Sequence, residues 1–364
     1  MRLDPSRFIG RVHQRDVALC VLRNDHIELA VCNHGARILQ LLVPDRAGVV
    51  RDVVLGHDSL AQLLAGMPSM GAFIGRYANR LAGAGFVIDG TRHPVPANDG
   101  PHCLHGGPAG SRHQVFDVLA HQAQRLCLGW TFRSSEDGFP GDVDLEVSYR
   151  LEGSAVVIDY RATVREAATP LSFTCHPFFN LEGEQSASAL DHALQIEADR
   201  FVPVGADRIP LGRLEPVTGT AFDFRAPRTV REALAQDHPQ LRLGPVPGFD
   251  HTLVTSLSDG LAPSTVRRQA RLAAPRSGIV MEVWSDAPAL QLYTCAPMDG
   301  SLPRHAGKHG RIHGRDAAVC LEPQRLPDAP NQPAFGPCVV MPGQTLPGRI
   351  EYRFGVQDRV GAAR

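Results

Sequence analysis

Four segments of this chain place titratable or hydrogen-bonding side chains inside apolar or glycine-rich surroundings, where neither a strand pattern nor solubility asks for them. They are Gly75-Arg76-Tyr77-Ala78-Asn79-Arg80, Cys103-Leu104-His105-Gly106-Gly107, Thr174-Cys175-His176-Pro177-Phe178-Phe179-Asn180-Leu181, and Cys320-Leu321-Glu322-Pro323-Gln324, the last continuing through Pro327-Asp328-Ala329-Pro330-Asn331. His176 stands between a cysteine and Pro177-Phe178-Phe179, a setting in which a purely structural residue is more naturally apolar. Glu322 closes the apolar run Ala317 to Leu321, and an unpaired buried carboxylate is costly. A carboxylate with an ordinary pKa of about 4.3 accepts a proton at neutral pH, and an imidazole near 6.5 donates one if a neighbouring acidic group keeps it protonated. The other polar residues also have plainer interpretations: Asn79-Arg80 as a turn with a surface ion pair, His105 as a ring bonded to backbone, Asp250 as a turn cap.

The elements that must position these residues are strands. Val143, Leu145, Val147 and Tyr149 alternate along one face, Glu152-Gly153-Ser154 turns the chain, and Val156, Ile158, Tyr160, Ala162 and Val164 resume the alternation, which predicts a hairpin. Similar runs at 27–31, 38–43, 86–88, 125–132, 194–196, 279–284, 290–294 and 349–354 are bounded by turn residues such as Asp89-Gly90 and Asp299-Gly300. Helical periodicity is confined to Ser59–Leu64 and Val230–Ala235. The pattern predicts an all-β fold, a large antiparallel β-sandwich with few short helices, as one domain over residues 1–356 with a frayed tail at 357–364. Residues 257–269 read as a polar excursion.

Composition narrows the function. The 364 residues include 37 Lys+Arg and 38 Asp+Glu, a net charge of −1, so no broad positive field exists to hold nucleic acid or an anionic membrane. With 35 glycines and 29 prolines a helix bundle is excluded. The first ten residues carry Arg2, Asp4 and Arg7 without an apolar core, no run approaches a membrane span, and the 8 cysteines show no C-x-x-C spacing; reduced thiols in a cytoplasmic protein are expected. The nucleophile elbow G-x-S-x-G, the zinc motif H-E-x-x-H and the dinucleotide loop G-x-G-x-x-G are missing. His305, His309 and His313 have the spacing of a helical metal site, but Gly307, Gly310 and Gly314 interrupt it, and the stretch reads as an exposed, solvated loop.

In order, spacing and flanks the four segments resemble those of the aldose 1-epimerases, the galactose mutarotase family. The resemblance extends over nearly the whole chain, through Ala36-Arg37-Ile38 with Val43-Pro44-Asp45-Arg46, Asp137 to Leu151, Gly219 to Phe224, Gly248-Phe249-Asp250-His251 and Gln291-Leu292-Tyr293-Thr294. It implies the mutarotase-type supersandwich and interconversion of α and β anomers of a free aldohexose such as galactose or glucose. By this resemblance Glu322 is the base and His176 the acid, with Asp250 the candidate to hold the imidazolium. Asn79, Arg80, His105, Asp250 and Gln291 bind the sugar. The resemblance implies no cofactor and no metal, and a small-molecule sugar as the partner of a monomer or weak homodimer. Cys175, Phe178 and Cys295-Ala296 depart from the family's usual Asn, Tyr and Gly-Asn. The alternatives are a hexose-6-phosphate 1-epimerase of the same fold, which wants an Arg or Lys cluster for the phosphate, and a non-catalytic sugar-binding or regulatory module.

Overall fold

The computed structural model describes residues 1–257, 261 and 265–357. The expected tail therefore lies, from 358 on, outside the described residues, as do six positions of the predicted polar excursion. The end of that excursion is in fact strand, because Arg267–Ala273 pairs along Ile279–Ser285 and Gln269 is buried within the sheet.

Three antiparallel sheets share one apolar core. The largest has nine strands, built around the predicted hairpin: Val143–Glu152 pairs with Ala155–Val164 from Val143 opposite Val164 to Glu152 opposite Ala155, and Gly153 takes the left-handed conformation at the turn (φ +57°). Alternation drives the pairing, since Val143, Leu145, Val147, Tyr149 and Leu151 all point inward. Withdrawing each such side chain from water is worth about 1.5–3 kcal/mol. A four-stranded sheet covers Leu19–Arg23, Glu28–Cys32, Arg37–Pro44 and Val50–Asp52. A five-stranded sheet orders Glu215–Pro216, Arg200–Phe201, Asp250–Val254, Ala289–Tyr293 and Cys320–Gln324. Val147 and Ile158 of the first, Val31 and Ile38 of the second, and Leu292 and Leu321 of the third fall in one continuous cluster.

Helices are short and capped. Leu60–Ala65 begins at Ser59, whose hydroxyl accepts from the Gln62 N–H, and Val230–Leu234 carries a reciprocal Thr229/Glu232 capping box. A third helix, Ser134–Asp137, has no counterpart in the sequence periodicity; its single turn stops at left-handed Gly138 (φ +77°).

The histidine-glycine stretch is not a solvated loop. His305 and His313 are buried, only His309 of the three is exposed, and two 3₁₀ turns, Pro303–His305 and Lys308–Gly310, separate the rings instead of aligning them on a helix. The cause is Lys308, the only lysine of the chain. Its ammonium is fully buried and donates to the Leu39 carbonyl at 2.9 Å, the Val54 carbonyl at 2.9 Å and Asp52 Oδ2 at 2.7 Å. All three protons are thus used. The interrupting glycines suggest an exposed loop, but one satisfied cation anchors the segment inside.

Breaking a buried ion pair from one side leaves the other charge uncompensated. Lys308→Met is expected to lower unfolding free energy by about 3 kcal/mol, read as a shift in the urea midpoint at constant slope. A loss under about 1 kcal/mol would mean that the anchor contributes no more than a surface pair.

Candidate active site

Three neighbouring strands of the five-stranded sheet present a small array on one face. Asp250, Tyr293 and Cys320 lie in register across Asp250–Val254, Ala289–Tyr293 and Cys320–Gln324, and Thr252, Gln291 and Glu322 form the next such row. Two-residue periodicity sends these six side chains to the same side and sends Leu253, Leu292 and Leu321 to the core. Gln291 is pinned at both ends: its Nε2 donates to Asp250 Oδ1 at 2.7 Å, and its Oε1 accepts from the Thr252 hydroxyl.

His176 arrives from a different direction. Its backbone N–H donates to the Ala72 carbonyl and its carbonyl accepts from the Gly71 N–H, each at 2.9 Å, which extends the short pairing of Thr174–Cys175 with Phe73–Ile74. Phe178 stacks on the imidazole at 5.1 Å between centroids and 13° between planes, while Tyr293 packs edge-on against both rings. So held, His176 Nε2 stands 3.4 Å from Glu322 Oε1, with both side chains buried.

The other wall is made of two tight turns. The His105 N–H donates to the Asn79 carbonyl at 3.0 Å, and the Asn79 N–H donates to His105 Nδ1 at 3.1 Å. Because Nδ1 accepts, the neutral ring carries its proton on Nε2 and is a donor there. Gly106 is required beside it: a Cβ at its φ of +78° would overlap the Gly75 carbonyl oxygen. Asn79 Oδ1 accepts from the Arg80 N–H at 2.9 Å. The Arg80 guanidinium is gripped by Asp99, Nε to Oδ2 at 2.7 Å, and lies 3.8 Å from Asp250 Oδ2.

All seven residues singled out in the sequence, His176, Glu322, Asn79, Arg80, His105, Asp250 and Gln291, line one cavity of about 210 Å³. The plainer interpretations are partly realised as well: Arg80 does form an ion pair and His105 does bond backbone, whereas Asp250 sits in a strand and caps no turn. The cavity also contains Met67, Ser69, Leu104 and Pro297. Met67, Ser69 and Pro297 are loop positions that carry no periodic or chemical signal in the sequence, whereas Leu104 flanks His105 in a segment that does. Tyr293 did carry one, two residues beyond Gln291 on the same strand face.

Electrostatics differ from the sequence expectation of an ionised Glu322 facing a protonated His176. Burial pushes the Glu322 carboxyl well above the usual carboxylate range, helped by the nearby Asp250 charge. Burial likewise pulls His176 down to about 4, and the opposing pull of Asp250 only partly offsets it. His105 is pulled well below its ordinary value by burial first and then by Arg112, His176 and Arg80. Desolvation thus favours a neutral imidazole beside a protonated carboxyl. That pair holds the same number of protons as imidazolium with carboxylate; only the position of one proton differs. The arrangement can exchange protons with two oxygens of a small polar ligand. One ring nitrogen of His176, Cys320 Sγ and a Glu322 oxygen also lie within 4.8 Å of one another, a spacing that could hold a metal ion.

The family model described as aldose 1-epimerase matches residues 18–353. The galactose mutarotase of Bos taurus is 37% identical over 339 residues, covering 92% of this chain and 93% of that protein. The aldose 1-epimerase of Escherichia coli K12 is 32% identical over 341 residues, covering 92% and 94%. Among solved structures, an aldose epimerase homologue from C. elegans superposes with a TM-score of 0.84 at 29% identity, covering 94% of this chain and all (100%) of that one. A galactose 1-epimerase from Lactobacillus acidophilus shares the fold, with a TM-score of 0.80 at 23% identity and coverage of 96% and 97%. An antiparallel sandwich of mutarotase type, matched across nearly its whole length by sequence and by structure, places this chain in the aldose 1-epimerase family.

Proposed function

We propose that the protein is an isomerase that interconverts the α and β anomers of a free aldohexose such as galactose or glucose, without a cofactor. The observation that carries this reading is the contact of two buried proton-exchanging groups, Glu322 and His176, 3.4 Å apart at a cavity otherwise lined by hydrogen-bonding side chains. Opening a hemiacetal requires a base at the C1 hydroxyl and an acid at the ring oxygen. Glu322 takes the hydroxyl proton while His176 gives one to the ring oxygen, and the C1 to ring-oxygen bond breaks. The aldehyde then turns about C1–C2, and on closure to the opposite face Glu322 gives its proton to the carbonyl oxygen while His176 takes back the proton of the former ring oxygen.

The proton positions support the cycle. Imidazolium with carboxylate accompanies the closed sugar, and neutral imidazole with carboxyl accompanies the open chain. Burial alone favours the second. Hydrogen bonds from sugar hydroxyls to the carboxylate favour the first, so the two states are drawn toward equal energy. Neutral His105 offers an N–H and Arg80 offers further donors, while Asp250 and Gln291 accept from hydroxyls. Arg80 is the only Arg or Lys among the lining residues and is already held by Asp99, which argues against a phosphosugar. One domain over residues 1–356 agrees with a core cluster running from Cys20 to Phe354. A cytoplasmic setting agrees with eight free, buried cysteines. No helix among the described residues is long and apolar enough to cross a membrane. We assign the protein as a monomer or weak homodimer, with no nucleic-acid or membrane partner.

Polarimetry of freshly dissolved α-D-galactose, α-D-glucose, arabinose and xylose is expected to show mutarotation above the buffer rate for at least one hexose. Activity on glucose 6-phosphate alone would select the phosphosugar alternative, and no turnover at all the binding module. Glu322→Gln keeps the volume and removes the proton acceptor, so turnover should fall about 10²–10⁴-fold while sugar binding persists. A folded variant retaining more than about a tenth of the rate would assign the base elsewhere.

The rate should form a bell against pH. As pH falls through about 4, the pair gains a second proton, Glu322 can no longer accept, and the acid limb appears there in kcat/KM. As pH rises past the elevated range of Glu322, the shared proton is lost and nothing remains to donate. Both limbs belong to the pair, and His176→Asn should abolish the bell along with most of the rate. An unchanged alkaline limb in that variant would move the acid role to another group, with His105 the first to test.

A further inference from the structure

Cys320 takes no part in the proposed proton transfers, yet it lies on the same strand face as Glu322, two residues away, and faces the same imidazole. One donor atom from each of His176, Cys320 and Glu322 falls within a 4.8 Å sphere of mutual separations, all three residues being buried. Bond lengths of about 2.3 Å to sulfur and about 2.0–2.2 Å to nitrogen and oxygen place the donors of a tetrahedral zinc site roughly 3.3–3.8 Å apart. The imidazole-to-carboxylate edge is already 3.4 Å. Closing the sulfur edges requires a movement of at most about 1 Å, and two of the three donors, His176 and Glu322, line the cavity, from which a fourth ligand could reach the metal as in zinc sites that keep a free coordination place.

We propose that Cys320, His176 and Glu322 form an inhibitory site for a soft divalent cation of the zinc and cadmium type, which competes with the sugar for the proton-transferring pair. The donor set decides the cation. One thiolate, one imidazole and one carboxylate suit zinc or cadmium and offer magnesium or calcium too few oxygens. Charge closes as well: a thiolate and a carboxylate neutralise a dication, so no net charge is buried. The step is an exchange, in which the Cys320 thiol proton and the Glu322 carboxyl proton pass to solvent as sulfur and carboxylate bonds to the metal form, with nothing oxidised or reduced. The surroundings are soft: Cys320 shares a buried cluster with Cys295, Met70, Met298 and Leu55. Cys295 is thus a second sulfur held beside the site.

Cadmium chloride titrated into the whole protein is expected to raise an ultraviolet thiolate-to-metal charge-transfer band and to abolish turnover at one equivalent, while magnesium does neither. Cys320→Ser keeps the volume and the proton-transferring pair. It should retain turnover and weaken cadmium binding by at least about tenfold, the loss already typical of removing a mere supporting group. Cadmium-113 resonance on the unmodified protein checks the same point without a variant: a shift in the sulfur-ligated range supports the site, and one typical of nitrogen and oxygen ligands alone overturns it. Equal cadmium affinity in Cys320→Ser also overturns it. Galactose should displace the cation, the one arm that rests on the proposed substrate; the band and the resonance read binding without turnover, so a protein that takes cadmium but fails to mutarotate sinks the functional reading and leaves this one standing.

Discussion

Burial of the His176–Glu322 contact is the constraint on which the rest of the site depends. In water a carboxylate and an imidazole titrate independently near their ordinary values. With both withdrawn from solvent and 3.4 Å apart, they act as one unit holding one proton over a wide pH range. Desolvation penalises the charged form of each, so the unit rests as carboxyl and imidazole. A polar ligand that brings its own hydroxyls changes that environment and moves the proton. The catalytic proposal is therefore a statement about solvent exclusion more than about the residues alone.

Exclusion of water comes from how the strands are stacked. The sheet rows that hold Asp250, Gln291 and Glu322 leave no freedom of register, because a one-residue slip would turn Glu322 into the apolar core and Leu321 into the cavity. Phe178 and Tyr293 box the imidazole on its face and edge. The Asp99–Arg80–Asp250–Gln291–Thr252 series holds the polar rim at fixed distances, so under the proposed function a sugar would meet groups that are already oriented. Farther off, Lys308 ties the second 3₁₀ turn to Leu39 and Asp52 of the four-stranded sheet and to Val54 just beyond it.

Strand alternation made most of the fold legible in the sequence: the hairpin around Gly153 and the strands near 125–132 and 279–285 follow directly from period two. The seven site residues were legible as polar groups in the wrong surroundings, and the family resemblance supplied their grouping; no periodicity could say that segments around 79, 105, 176 and 322 converge, since that depends on strand order among distant pieces of chain. Two features escaped for physical reasons. The histidine-glycine stretch looked solvated because Gly307, Gly310 and Gly314 break any helix there, and nothing local shows that Lys308 meets three convergent acceptors from distant parts of the chain. The protonation pattern of the His176–Glu322 pair also escaped, because the type of a residue sets its pKa in water, whereas the depth of the site sets it here.

The central claim is that the proton of the pair sits on Glu322 in the empty site and moves to His176 when sugar binds. Infrared difference spectroscopy with carbon-13-labelled glutamate, using Glu322→Gln to assign the band, measures this directly at neutral pH. A protonated carboxyl stretch from Glu322 in the sugar-free protein, replaced by carboxylate absorption on adding galactose, is the predicted result. An ionised Glu322 in the empty site, or a carboxyl band that sugar leaves unchanged, would contradict it.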